Sequence, residues 1–308
     1  MNTAPRLRGL ARAFFGLTAI TYVLVVFGAL VRVKGAGLSC PDWPLCFGKL
    51  LPSLDLGVIL EWGHRTLAGS ISLLLVAALG VAWRTPSAWK ALGRMPWIVL
   101  GVLGIQIILG GLTVLKLLAS WTVTLHLLFG NLFCLALLVM ALRLRDASRP
   151  ATALAPLPRG WWPLLTAGAL LLFAQMVLGG LVSSNHAGFA CLQWPACQGD
   201  VWFPAFTGLI GLQVFHRLVA YALAGTIGVI AVVGRGHPQI GRPALAALAL
   251  VIVQVVLGVL NVLWLLPVEI TAGHSAGAAG LVLLFTVLVR NSCQGRCTAL
   301  VNSDEAAA

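Results

Sequence analysis

Residues 66–83 read Thr-Leu-Ala-Gly-Ser-Ile-Ser-Leu-Leu-Leu-Val-Ala-Ala-Leu-Gly-Val-Ala-Trp, a run without a single charge. As an α-helix rising about 1.5 Å per residue, a run of this size approaches the ~30 Å thickness of a hydrocarbon core. Seven more such runs follow the same reading: residues 13–31, 95–115, 117–142, 160–175 and onward, 218–234, 243–268 and 270–289. The sequence therefore predicts an all-α membrane protein of eight transmembrane helices. Composition agrees. Of 308 residues 60% are hydrophobic and 9% charged, against about 25% charged in soluble globular domains. That excludes a soluble chain, and it excludes intrinsic disorder, which needs low hydrophobicity with high charge.

The net charge of +12 raises a nucleic-acid reading, which the placement of the charges removes: they fall in short clusters between the apolar runs. With the N-terminus cytoplasmic, the inner segments hold fourteen basic residues (Arg6, Arg8, Arg12, Arg84, Lys90, Arg94, Arg143, Arg145, Arg149, Arg159, Arg235, Arg242, Arg290 and Arg296). The outer loops hold four: Arg32, Lys34, Lys49 and Lys116. This positive-inside bias predicts cytoplasmic termini in a bacterial inner membrane, with lipid and not nucleic acid as the surroundings. The first apolar run lacks a small-residue cleavage site and is read as a retained helix.

The chain also repeats itself. Cys40-Pro41-Asp42-Trp43-Pro44-Leu45-Cys46 is echoed by Cys191-Leu192-Gln193-Trp194-Pro195-Ala196-Cys197 at an offset of 151, and His64-Arg65 by His216-Arg217 at 152. Gln106–Gly110 is echoed by Gln254–Gly258, and His126 by His274, both at 148. Features matched in one order predict two four-helix bundles, residues 1–150 and 151–308, joined through 143–159. An even number of helices per half makes them parallel repeats, unlike the inverted repeats of many transporters. Gly110-Gly111 and Gly179-Gly180 are expected to allow close helix contact.

Each half carries two histidines, His64 with His126 and His216 with His274, expected early in helices that start at the outer face. Two imidazoles at one depth in a four-helix bundle can supply both axial ligands of a haem iron; the alternative is a pair of polar residues bonded between helices. His186 and His237 break the repeat and are read as solvent- or headgroup-facing. Arg65 and Arg217 are either propionate partners or arginines snorkelling to headgroups. Glu61, one turn before His64, is replaced by Gln213 before His216. Glu61 either does proton or charge chemistry beside the first ligand or merely pairs with Arg65. The asymmetry suggests division of labour, with chemistry in the first half and a permanent electron-transfer cofactor in the second. Cys40–Cys46 and Cys191–Cys197 can each close a disulfide in an oxidising outer milieu. Cys134 is expected to be a packing residue, and Cys293 and Cys297 to be inner-tail thiols.

Glu61-Trp62-Gly63-His64-Arg65, the loop Gly37-Leu38-Ser39-Cys40-Pro41-Asp42-Trp43-Pro44-Leu45-Cys46, His126, His216-Arg217 and His274 together resemble the haem A synthase family over essentially the whole chain. The resemblance implies oxidation of the C8 methyl of haem O to a formyl group, through an alcohol and a geminal diol, to make haem A for terminal cytochrome oxidases. It implies substrate haem on His64 and His126, a haem b cofactor on His216 and His274, Glu61 as the functional carboxylate, and Cys40–Cys46 as the outer-loop pair. Haem O synthase and cytochrome oxidase assembly factors are the partners it implies, and a homo-oligomer is compatible with it. The rivals from other classes are a di-haem b electron-transfer subunit and a haem exporter.

Overall fold

The computed structural model describes residues 3–53, 55–149, 157 and 160–306, and the side chains of these except residues 238 and 294–306. The described residues form α1 (Ala4–Val33), α2 (Leu56–Trp83), a short α3 (Pro86–Leu92), α4 (Met95–Leu115), α5 (Ser120–Ala147), α6 (Trp161–Ser184), α7 (Gly208–Gly234), α8 (Pro238–Leu263) and α9 (Val268–Ala306). Eight of these are long and apolar enough to cross a membrane. The protein is an all-α, multi-pass membrane protein, and its spans carry highly exposed apolar side chains such as Leu73, Ile108, Leu170 and Phe173, suited to lipid rather than water.

Helix α2 begins ten residues before the uncharged run at 66–83 that announces it. Asp55 caps its start, with Oδ1 accepting the Val58 N–H at 2.8 Å, which satisfies one of the orphan donors of the first turn. The helix then continues through Glu61 and Arg65 because the two charges pair with each other at i,i+4. His64 therefore lies about two turns inside α2, deeper than the first turn expected from the apolar pattern. His216 stands equally deep in α7.

By its contacts the chain divides into one unit of Met1–Pro150 with Val268–Ala279 and another of Ala151–Pro267 with Gly280–Ala308. In the first, Leu7, Phe14, Ile71, Leu75, Leu137 and Met140 belong to a buried core drawn from α1 to α5. This core gathers the start of α1, the end of α2 and the end of α5, which is the end of the bundle remote from residues 34–55. Leu67 and Phe129, each one turn from a histidine, pack on its upper edge. Arg143 donates to Leu92 O at 2.9 Å, placing a cation on the last carbonyls of α3.

The second unit is built by the same rules. Trp161, Ile227, Ile230, Ile240, Phe285 and Leu288 lie in its core, and the Trp161 Nε1–H donates to Ser292 Oγ at 2.8 Å. Pro243 stands inside α8 and has no N–H for the carbonyl of Gln239 four residues back. Asn291 supplies the missing donor, its Nδ2 reaching Gln239 O at 2.8 Å. A proline in the helix is thus accommodated by a side chain from a distant part of the chain.

Tight Leu-Leu turns precede both later histidines. Leu117 and Leu118 have φ of 50° and 59°, and Leu265 and Leu266 have 58° and 60°, a left-handed conformation that costs non-glycine residues about 1–2 kcal/mol each. Each turn is closed by an i→i−5 bond at 2.8 Å, Leu118 N–H to Thr113 O and Leu266 N–H to Asn261 O, which satisfies a helix-terminal carbonyl. These turns set where α5 and α9 start, and so where His126 and His274 fall.

Candidate functional site

Four elements of the first unit converge on two imidazoles. His64 projects from α2 and His126 from α5, and His64 lies within electrostatic reach of both His126 and Arg65. Gly28 on α1 is a glycine for a steric reason: a Cβ there would stand 2.9 Å from His64 Cε1. Gly110 on α4 gives the same relief to His126, at 3.2 Å. Phe27 holds the His64 ring edge-to-face at a centroid distance of 5.9 Å. The amide Nε2 of Gln106 approaches His126 Nε2 at 3.4 Å. The Nδ1 atoms of His64 and His126 are buried with no hydrogen-bond partner among the described residues.

Glu61, only 4% exposed, is gripped at both oxygens. Oε1 accepts from Arg65 Nη2, and Oε2 accepts the Cys40 backbone N–H at 2.8 Å. Arg65 also donates to Asp42 O at 2.8 Å, Leu45 O at 2.7 Å and Cys40 O at 3.3 Å. Neither a neutral amine nor a lone ammonium could make this fan of bonds; a guanidinium with its forked donors can. The Cys40–Cys46 disulfide is formed, so the carbonyls that Arg65 holds belong to a closed ring. Asp42 ties the far side of that ring, its carboxylate accepting from Phe47 N–H at 2.6 Å and Gly48 N–H at 2.8 Å. The Gly48 N–H, followed by that of Phe47 and by the Arg65 charge, holds the Asp42 carboxyl below the usual carboxylate range. Trp43, from the same loop, lies against Gly111 of α4, where a Cβ would stand 3.1 Å from its ring.

The second unit has related parts with different chemistry. His216 on α7 is faced by Gly179 of α6, whose Cβ would stand 3.2 Å from His216 Cε1, and by Gln175 Nε2 at 3.4 Å from His216 Nε2. Arg217 donates to Gln193 O at 2.9 Å, Ala196 O at 3.2 Å and Cys191 O at 3.3 Å, across the formed Cys191–Cys197 disulfide. Gln213 is 5% exposed and, among the described residues, its Oε1 has no hydrogen-bond partner and no carboxylate takes the place that Glu61 holds in the first unit. His274 lies in the segment Val268–Ala279 that packs with the first unit. Next to it, Ser275 Oγ accepts from Arg32 and Ala276 O accepts from Tyr22.

The sequence-derived candidates therefore fall into place unevenly. Glu61, His64, Arg65, His126 and Cys40–Cys46 gather in one unit, while His216, Arg217 and Cys191–Cys197 gather in the other. Arg65 and Arg217 direct their Nη donors to loop carbonyls. His186 is exposed and His237 half-buried. Cys134 is buried, with Sγ 3.5 Å from Thr18 O, and Cys293 is exposed; the Cys297 side chain lies outside the described residues. Sequence reasoning missed the glutamines at the imidazoles and the bracing role of Asp42. Gln106 carried a signal, since it opens one of the repeated motifs. Gln175 carried none.

The COX15-CtaA family profile, whose description is cytochrome oxidase assembly protein, matches residues 11–56 and 55–287. The chain is 30% identical to the haem A synthase of Shewanella oneidensis over 88% of this chain and 92% of that protein. It is 28% identical to the haem A synthase of a Bradyrhizobium species over 100% of this chain and 98% of that protein. The haem A synthase of Rhizorhabdus wittichii is 28% identical over 93% of this chain and 94% of its own.

Proposed function

The chain belongs to the COX15-CtaA family of cytochrome oxidase assembly proteins, and on that premise we propose that it converts haem O into haem A by oxidising the C8 methyl to a formyl group. His64 and His126 hold the substrate haem; His216 and His274 hold a resident haem b. The residues at hand fit such a group. Two half-buried imidazoles have buried Nδ1 atoms, glycines relieve both rings, and the packed apolar core stops one turn short of them. Bound haem b supplies one-electron transfer.

The observation that carries the reading is Glu61, buried and held at both oxygens one turn from His64. Arg65 and the Cys40 N–H fix the carboxylate in one orientation, so its remaining lone pairs stay aimed while the reaction proceeds. Glu61 receives at Oε2 a proton released as the methyl carbon is oxidised. Gln213 cannot do this, which assigns the chemistry to the first half and the electron-transfer haem to the second. The Nε–H groups of Arg65 and Arg217 make no hydrogen bond among the described residues and are offered to haem propionates. The two halves arise as a parallel tandem repeat with cytoplasmic termini in a bacterial inner membrane. That orientation places both disulfides on the oxidising side and the haem sites toward it.

Pigment analysis of the purified protein, expressed with and without a haem O source, tests the reading. Haem b together with haem O and haem A is expected with the source. Two stoichiometric haem b groups, unchanged when the source is removed, would identify a di-haem electron-transfer subunit instead.

A further inference from the structure

Arg32 stands on α1 one turn beyond Gly28, on the same helix face, and Gly28 is the position that makes room for His64. Arg32 is half-buried and is the next-to-last residue of α1. Five N–H donors need acceptors, yet among the described residues it makes one hydrogen bond, Nη2 to Ser275 Oγ at 3.4 Å. Ser275 gives its own proton to Thr271 O at 3.1 Å, so toward Arg32 it is only an acceptor. The ion pairs among the described residues are Glu61–Arg65 and Arg145–Asp146, and neither involves Arg32. Tyr22, lower on α1, donates to Ala276 O at 3.0 Å, so α1 and the His274-bearing turn of α9 are fastened together beneath this cation.

A half-buried guanidinium with no carboxylate partner among the described residues, at the end of an apolar helix, is suited to receive an anionic group. The position is also unmatched within the chain: at the offset of 151 its counterpart is Ser183. Arg65 and Arg217 have loop carbonyls for their Nη groups, whereas Arg32 keeps most of its fork uncommitted.

We propose that Arg32 is the receptor for a porphyrin carboxylate, held where α1 meets the turn of α9 that carries His274. The proposal rests on the haem-binding reading above. The carboxylate comes either from the porphyrin of the His64 and His126 site or from that of the His216 and His274 site, and the guanidinium fork binds it bidentately in both cases.

The test is a titration of the purified full chain with iron protoporphyrin IX and with its dimethyl ester, in which both carboxylates are masked. His64→Ala and His216→Ala backgrounds leave one site each, and Soret absorbance reports binding. With Arg32 present, the free acid is expected to bind about tenfold tighter than the ester, equivalent to ~1.4 kcal/mol. Arg32→Gln lowers that preference severalfold, leaving what Arg65 or Arg217 contributes, and Arg32→Lys keeps most of it. The background in which Arg32→Gln lowers the preference identifies whose carboxylate Arg32 holds. A preference that Arg32→Gln leaves unchanged in both backgrounds overturns the proposal. Equal weakening of acid and ester by both substitutions also overturns it, because that is a structural effect. A protein with Arg32 intact that binds neither porphyrin overturns the haem-binding reading itself, a distinct result.

Discussion

The Cys40 backbone N–H donates to Glu61 Oε2 at 2.8 Å, so the disulfide-closed loop and the buried carboxylate of α2 form one hydrogen-bonded assembly. Arg65 completes it by binding Glu61 and three loop carbonyls at once. The sequence leaves open whether Glu61 is chemical or merely the partner of Arg65, and the structure shows the pairing. That pairing is what would aim the carboxylate.

Glu61→Gln keeps the size and one acceptor oxygen but removes the proton-accepting carboxylate. Haem A formation is expected to fall by at least about 100-fold, within the range for loss of a general acid–base group, while the haem b spectrum persists. Extracted pigments measure both in one sample, and full conversion would remove Glu61 from the chemistry.

Arg65→Met leaves Glu61 buried beside only one donor and frees three loop carbonyls. Breaking a largely buried, hydrogen-bonded pair is expected to cost about 2–4 kcal/mol. The signs are a lower melting temperature in detergent and faster proteolysis within residues 34–55. Arg65→Lys should rescue little, since an ammonium cannot reproduce the fork.

Asp42 gives the loop a predictable acid limit. Its carboxyl is held below the usual range, first by the Gly48 N–H. The stability it contributes is therefore fully present above its unfolded value of about 3.9 and is lost as pH falls through the lower folded value. Protection of the Phe47 and Gly48 amides, measured against their intrinsic exchange rates, should hold at about pH 5 and fall only in more acidic solution. In Asp42→Asn the acid-dependent step should vanish; its persistence would assign the transition to another group.

Asn291→Leu removes the side-chain donor that Gln239 O receives in place of the Pro243 N–H, at a cost of about 1–2 kcal/mol. Pro243→Ala restores an α8 N–H to that carbonyl. In the Pro243→Ala background the same Asn291 change should therefore cost less than about 0.5 kcal/mol. Equal costs in both backgrounds would show that Asn291 acts elsewhere.

What the sequence determined by itself was what depends on short range. Eight uncharged runs announce eight spans because the hydrocarbon core imposes a length of about 20 apolar residues on each. The paired cysteines and the Glu61/Gln213 difference are likewise visible as letters at fixed spacing. Tertiary structure decided everything that depends on partners distant in sequence. Charges at Glu61 and Arg65 look like an end to the apolar pattern, yet α2 runs through them because loop atoms and each other satisfy them. Gly28 reads as an ordinary transmembrane glycine until the His64 ring is placed against it. Asn291 completes a helix that begins about fifty residues earlier, and Arg32, which in sequence only counts toward topology, reaches Ser275. In each case a side chain meets a neighbour distant in sequence, and only the packing of the helices says which one.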